Sequence, residues 1–131
     1  MKVWTPKSCT VGLAIAVSLA IFLGGCSSSQ KAGQADYKEL YNQHRYADAY
    51  KAALEAQTEG STVQKEQAAL IAGLSAAALG KDDEAERILR PLTKSGDKSI
   101  SGRAEAQLGL IAYEHDRHAE ASELLTDAAG K

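Results

Sequence analysis

The sequence predicts an all-α protein, and two observations support this: its composition and one internal repeat. Ala and Leu dominate the apolar residues, whereas aromatic residues make up only 5% of the chain and it contains two prolines. This composition favours packed helices over a sheet, because Ala and Leu are strong helix formers while strands prefer β-branched and aromatic residues. A chain of 131 residues has room for one small domain.

The internal repeat emerges when the sequence is aligned with itself at an offset of 36 residues, which places Lys65 on Ser101. A fainter third copy lies upstream, with Ala49 in the position of Ala85. A repeat of this length indicates stacked supersecondary units. The identical pairs in the two stronger copies are Ala68/Ala104, Gly73/Gly109, Leu74/Leu110, Ala76/Ala112, Glu84/Glu120, Ala85/Ala121 and Leu89/Leu125.

Each unit is predicted to contain two helices joined by a tight turn. In the second unit, Ser61 and Gln64 have the spacing of a capping box, which predicts a first helix over 63–79 that ends at Gly80. The short connections between helices force neighbouring helices to pack antiparallel. The first unit is predicted to have helices over 35–43 and 46–57, and the third over 101–115 and 117–129.

The second helix of the middle unit is predicted to run from Asp82 or Asp83 toward Leu92. Pro91 falls inside this span, and a proline in a helix removes a backbone hydrogen bond and clashes with the preceding turn. We therefore expect a kink or an early end at this position.

The repeat resembles the unit of the tetratricopeptide repeat (TPR) family, which has a Leu-Gly pair in its first helix and Ala, a large apolar residue and Ala in its second. Leu108 and Gly109 match the pair, while the family's Trp positions hold Ala69 and Glu105. The resemblance implies a short α-solenoid of about three helical hairpins over residues 35–131, and a related helical repeat is the alternative. The second-helix matches are Ala49, Ala85, Ala121, Leu89, Leu125, Ala56 and Ala128.

Residues 1–25 are predicted to be a signal peptide. Lys2 and Lys7 give it a positive start, and residues 11–23 are a nearly unbroken apolar run. A membrane-spanning helix needs about 20 apolar residues, so this run favours a cleaved leader over the alternative of an uncleaved anchor.

The leader ends in Leu23-Gly24-Gly25-Cys26, which resembles the lipobox of bacterial lipoproteins. The resemblance implies a diacylglycerol thioether on Cys26, cleavage after Gly25 and acylation of the new amino terminus. Ser27 in the next position implies sorting to the outer membrane, with the inner membrane as the alternative. The competing interpretation is that Cys26 is only a small residue at an ordinary cleavage site. In the lipoprotein interpretation, residues 26–34 are the lipidated cysteine and a flexible spacer.

Composition and motifs argue against nucleic-acid binding and against an enzyme. After the leader the chain has 13 basic and 17 acidic residues, without the clustered Lys and Arg that bind phosphates. No catalytic motif is recognisable, and no cofactor is expected beyond the lipid on Cys26. His115 and His118, near Glu114 and Asp116, are interpreted as a polar turn, with a metal site as the alternative.

The resemblance also implies that the first helices of successive repeats line a concave groove, in which an apolar floor with a polar rim would suit a peptide segment. The alternative is that the leucines belong to the core and the other residues to a solvated face. The groove positions given by the repeat register are Lys38, Tyr41, Asn42, Gln67, Leu70, Leu74, Arg103, Leu110 and Tyr113.

These features together predict a periplasm-facing, membrane-anchored lipoprotein that acts as a non-enzymatic adaptor or assembly factor for another envelope protein. The alternative is a structural envelope lipoprotein that self-associates as a homodimer, because the third repeat is expected to leave apolar surface exposed. Sedimentation of the soluble domain from Ser27 would separate the two functions, since a strict monomer excludes self-association.

Replacing Cys26 with Ser is expected to release or mislocalise the protein, because the lipid attachment atom is lost. The helix content should not change, since the repeat domain does not contain this residue. Membrane fractionation and circular dichroism measure the two effects. Unchanged fractionation would contradict the predicted anchor.

Overall fold

The computed structural model describes residues 36–131, and the predicted leader, Cys26 and the whole spacer lie outside this range. The all-α prediction is confirmed, because this range contains helices and no strand. Its elements are α1 (Tyr37–Asn42), α2 (Tyr46–Ala56), α3 (Thr62–Ala78), α4 (Asp82–Leu89), a 3-10 helix (Arg90–Lys94), α5 (Lys98–Glu114) and α6 (His118–Ala129).

Three turns of identical form connect α1 to α2, α3 to α4 and α5 to α6. The turn residues His44, Gly80 and Asp116 all have left-handed backbone, with φ of 60°, 70° and 59°. They lie 36 residues apart, so the repeat found in the sequence is also a repeat of backbone conformation. Each turn is closed by the next residue's N–H, which donates to a carbonyl five residues earlier: Arg45 to Leu40 at 2.9 Å, Lys81 to Ala76 at 3.0 Å and Arg117 to Ala112 at 2.8 Å.

The predicted start of α3 is confirmed. The Ser61 hydroxyl accepts a hydrogen bond from the Gln64 N–H at 3.4 Å, and the Gln64 side chain accepts one from the Ser61 N–H at 2.9 Å. This reciprocal pair satisfies two donors that an isolated helix end leaves unpaired.

Two boundaries in the third quarter of the chain differ from the prediction. Helix α4 ends at Leu89, and the 3-10 helix that follows has Pro91 near its start, so the expected early end is confirmed and the extension to Leu92 is wrong. Helix α5 begins at Lys98, three residues before the predicted Ser101. The reason is Asp97, whose carboxylate caps the helix by accepting from two backbone N–H groups.

The two strongest repeats each place a glycine of the first helix directly under a leucine of the second. A Cβ added to Gly73 would lie 2.5 Å from Leu89 Cδ2, and one added to Gly109 would lie 2.7 Å from Leu125 Cγ. In the first repeat the corresponding residues are Tyr37 and Ala53, so the large and small positions are exchanged. In both pairs the leucine side chain fills the space above the glycine.

Small residues make up most of the helix contacts around these pairs. Among residues 36–131, eight alanines are fully buried, and Leu89 and Ile111 are the largest apolar side chains with less than 2% exposure. Because alanine side chains are short, the helix axes can approach closely and the core holds few bulky groups. The fully buried alanines are Ala49, Ala53, Ala68, Ala72, Ala76, Ala85, Ala104 and Ala112.

Replacing Gly73 with Ala is expected to destabilise the domain by about 1–3 kcal/mol, because the new methyl group overlaps a leucine in a packed core. The matched control is Gly102→Ala in α5, where an added Cβ would meet its nearest atom at 3.5 Å. That change should stabilise the domain by about 0.5–1 kcal/mol through helix propensity. Urea unfolding measures both, and equal effects would contradict the proposed contact.

Candidate functional site

A cavity of about 290 Å³ lies among α1, α3 and α5, the first helices of the three hairpins. Each of these helices contributes side chains to it, and the loop before α5 adds the capping residue Asp97. It is therefore built from three sequence repeats rather than from one. The lining residues are Lys38, Tyr41, Asn42, Gln67, Leu70, Ile71, Asp97, Ser99, Ile100 and Arg103.

The floor of the cavity is apolar and its rim is polar. Leu70, Ile71 and Ile100 are buried and present an aliphatic surface. On the rim, Lys38 Nζ donates a hydrogen bond to Gln67 Oε1 at 3.0 Å, which ties α1 to α3 across the cavity. This combination suits a ligand that inserts an apolar side chain and keeps polar groups at the edge.

The charges on the rim favour an anionic group. Lys38 and Arg103 are exposed, and the Arg103 side chain makes no hydrogen bond or ion pair with any residue of 36–131. The single carboxylate of the lining, Asp97, already accepts the Ser99 N–H at 2.8 Å and the Ile100 N–H at 3.3 Å. The free guanidinium is thus available to a carboxylate, with which arginine forms two parallel hydrogen bonds.

The structure brings six of the nine predicted groove residues to this cavity. They are Lys38, Tyr41, Asn42, Gln67, Leu70 and Arg103. The remaining three do not line it: Leu74 is buried in the core, while Leu110 and Tyr113 are exposed elsewhere on α5. The wider groove that would include these three residues stays a prediction.

Four lining residues were missed in the sequence. Asp97 and Ser99 could have been found from the spacing of a helix N-cap, which would also have moved the start of α5. Ile71 and Ile100 are ordinary apolar residues, and no local pattern distinguishes a cavity floor from the interior of the core.

The histidines near the third turn lie in separate contacts. His115 Nε2 is 2.9 Å from Asp82 Oδ2, which belongs to α4, while the His118 ring packs on Tyr113 with centroids 5.5 Å apart. Among residues 36–131 no group of three or more His, Cys, Asp or Glu side chains is placed to hold a metal ion.

A ring of four charged side chains connects α4 to α6. Glu86 accepts hydrogen bonds from Arg117 and from Arg90, the latter at 2.8 Å, and Glu120 accepts from the same two arginines at 2.9 Å each. Alternating charges of this kind hold two hairpins together without any catalytic group. We interpret the ring as a structural connection between the second and third repeats.

The arginines control the ionisation of Glu86. Burial raises the pKa of its carboxyl, but the hydrogen bonds from Arg117 and Arg90 oppose this and bring the pKa below the ordinary value of 4.5. The same bonds raise the pKa of Arg90 and of Arg117. Glu86 and the two arginines therefore favour their charged forms.

No family model, curated protein or solved structure matches this chain. Within the range 36–131, none of the helices combines the length and the apolar character that a membrane span needs.

The domain is expected to lose stability as the pH falls through the lowered pKa of Glu86. The Glu86 carboxyl binds its proton less tightly in the folded state than in the unfolded chain. The stabilisation from its ion pairs is therefore complete above the ordinary pKa and is lost as the pH falls through the lowered pKa. Glu86→Gln should therefore lower the melting temperature at about pH 6 and have much less effect at about pH 3. The control is Glu123→Gln, a carboxylate without an ion pair in the described range. A pH-independent difference for Glu86→Gln would contradict the assignment.

Proposed function

We propose that this protein is a lipid-anchored lipoprotein of the bacterial envelope whose TPR-like repeats hold a segment of another envelope protein. The observation that carries the proposal is the cavity formed by the first helices of all three hairpins. A short α-solenoid is the arrangement that would place those helices side by side. The recurrence of the same turn every 36 residues supports it.

The anchoring part of the proposal is supported by the sequence around Cys26. A charged start, an apolar run and Leu23-Gly24-Gly25-Cys26 occur in the order that lipoprotein export requires. Two or more acyl chains hold a protein stably on a bilayer, whereas one chain binds marginally. The domain would then face the periplasm, at the outer membrane, on a spacer of residues 27–34.

The chemistry of the cavity supports binding rather than catalysis. Its lining contains no His and no Cys, and its only carboxylate, Asp97, is engaged as a helix cap. A nucleophile with a neighbouring base, the minimum for acyl or phosphoryl transfer, is not among the lining residues. We therefore propose an adaptor or assembly factor without enzymatic activity.

The ligand proposed for the cavity is a peptide segment with one apolar side chain next to an acidic group. The apolar side chain would contact Leu70, Ile71 and Ile100, and the acidic group would meet Lys38 on the rim. Tethering raises the local concentration of the domain at the membrane, so a weak contact of this size would still be occupied.

A photoreactive phenylalanine analogue in place of Tyr41 is expected to crosslink the partner in living cells. Tyr41 lies half-buried in the cavity lining, so a bound segment would contact it directly. The same analogue at Leu54, on α2 and outside the cavity, is the matched control. The crosslinked species is detected by its electrophoretic mobility and identified by mass spectrometry.

A second change tests the charge preference. Lys38→Glu should weaken the Tyr41 crosslink several-fold, whereas Lys51→Glu on the exposed side of α2 should leave it unchanged. Crosslinks of equal strength from positions 41 and 54, or none from position 41 in cells that produce the protein, would contradict a partner in the cavity.

A further inference from the structure

Helix α5 carries a largely exposed stripe that borders the cavity only at Arg103. Arg103, Gln107, Leu110 and Glu114 are spaced by four, three and four residues, which places them along one face of the helix. Leu110 is 50% exposed, and Tyr113 beside it is 62% exposed. Leu125 of α6 packs over Gly109 and is itself 38% exposed, so the apolar surface continues onto the next helix.

The repeat register gives the positions on α3 that correspond to this stripe. Its counterparts on α3, 36 residues earlier, are Gln67, Ile71 and Leu74. Ile71 and Leu74 are each only 6% exposed, and Gln67 and Ile71 border the cavity together with Ile100 and Arg103 of α5. On α5 the same positions are exposed at Arg103 and Leu110 and half-buried at Gln107 within residues 36–131.

We propose that a second copy of this chain covers the stripe, with the two α5 helices antiparallel across a two-fold axis. An axis midway between positions 107 and 110 sets Gln107 of each copy opposite Leu110 of the other. Positions 103 and 114 lie equally far from that midpoint, so Arg103 then faces Glu114 of the second copy. Two-fold symmetry makes each of these pairs occur twice.

The two charged residues of the stripe favour a second copy of this chain as the partner and an antiparallel orientation of the two α5 helices. The side chains of Arg103 and Glu114 make no hydrogen bond or ion pair within residues 36–131. An antiparallel copy brings the two opposite charges together at both ends of the contact, whereas a parallel copy would set like charges against each other. The apolar residues between them, Leu110 and Tyr113, would be covered in the same step.

The test is co-purification of two differently tagged full-length copies from detergent-solubilised cells. Wild-type copies should recover each other. Two copies with Arg103→Glu, or two copies with Glu114→Arg, should recover each other about tenfold less, because two exposed ion pairs become like-charge contacts. One copy with Arg103→Glu and one with Glu114→Arg should recover each other at the wild-type level, since both pairs are then opposite in charge again.

The mixed pair also controls for folding, because each variant must be folded to restore the contact. Charge reversals away from the stripe, Lys65→Glu on α3 and Glu55→Arg on α2, should leave recovery unchanged. Sedimentation of the purified wild-type protein in detergent should show a dimer. A strict monomer, or a mixed pair that recovers no better than either variant with itself, would overturn the proposal.

Discussion

The contact between a helical glycine and a leucine of the following helix sets the geometry on which the rest of the domain depends. Gly73 under Leu89 and Gly109 under Leu125 bring the two helices of a hairpin together without a void. Leu89 is fully buried as a result, and so are the alanines on either side of the contact. Because a packed interior tolerates little change in volume, this contact fixes the separation of the two helices in each of the second and third hairpins.

The turns add a second constraint, which the three repeats satisfy in different ways. Gly80 adopts left-handed backbone freely, whereas His44 and Asp116 do so at a cost of about 1 kcal/mol or more. Each turn is closed by the same pair of backbone hydrogen bonds. The conformation therefore persists without glycine, and a glycine pattern alone would have found only one of the three turns.

Local patterns predicted the helices well and the surfaces less well. The capping box at Ser61 and the early end before Pro91 follow from chemistry within a few residues. By contrast, Leu74 and Leu110 occupy the same repeat position, yet one is buried and the other is half exposed. Only the packing of α5 beside α3 distinguishes them, and one sequence does not contain that information. Six of the nine predicted groove positions therefore line the cavity, and the other three lie elsewhere on α3 and α5.

The cavity and the ring of ion pairs lie on different helices of the hairpins, so substitutions in one can be tested separately from substitutions in the other. The cavity is lined by side chains of α1, α3 and α5 and of the cap before α5, whereas the ring of ion pairs joins α4, the 3-10 helix and α6 with Arg117 of the last turn. No residue belongs to both sets. A change in the ring should alter the free energy of unfolding without changing the lining, while a change at Lys38 should alter recognition with little effect on stability. Binding that responds to Glu86→Gln under conditions where the domain stays folded would therefore mean that the hairpins move as they bind.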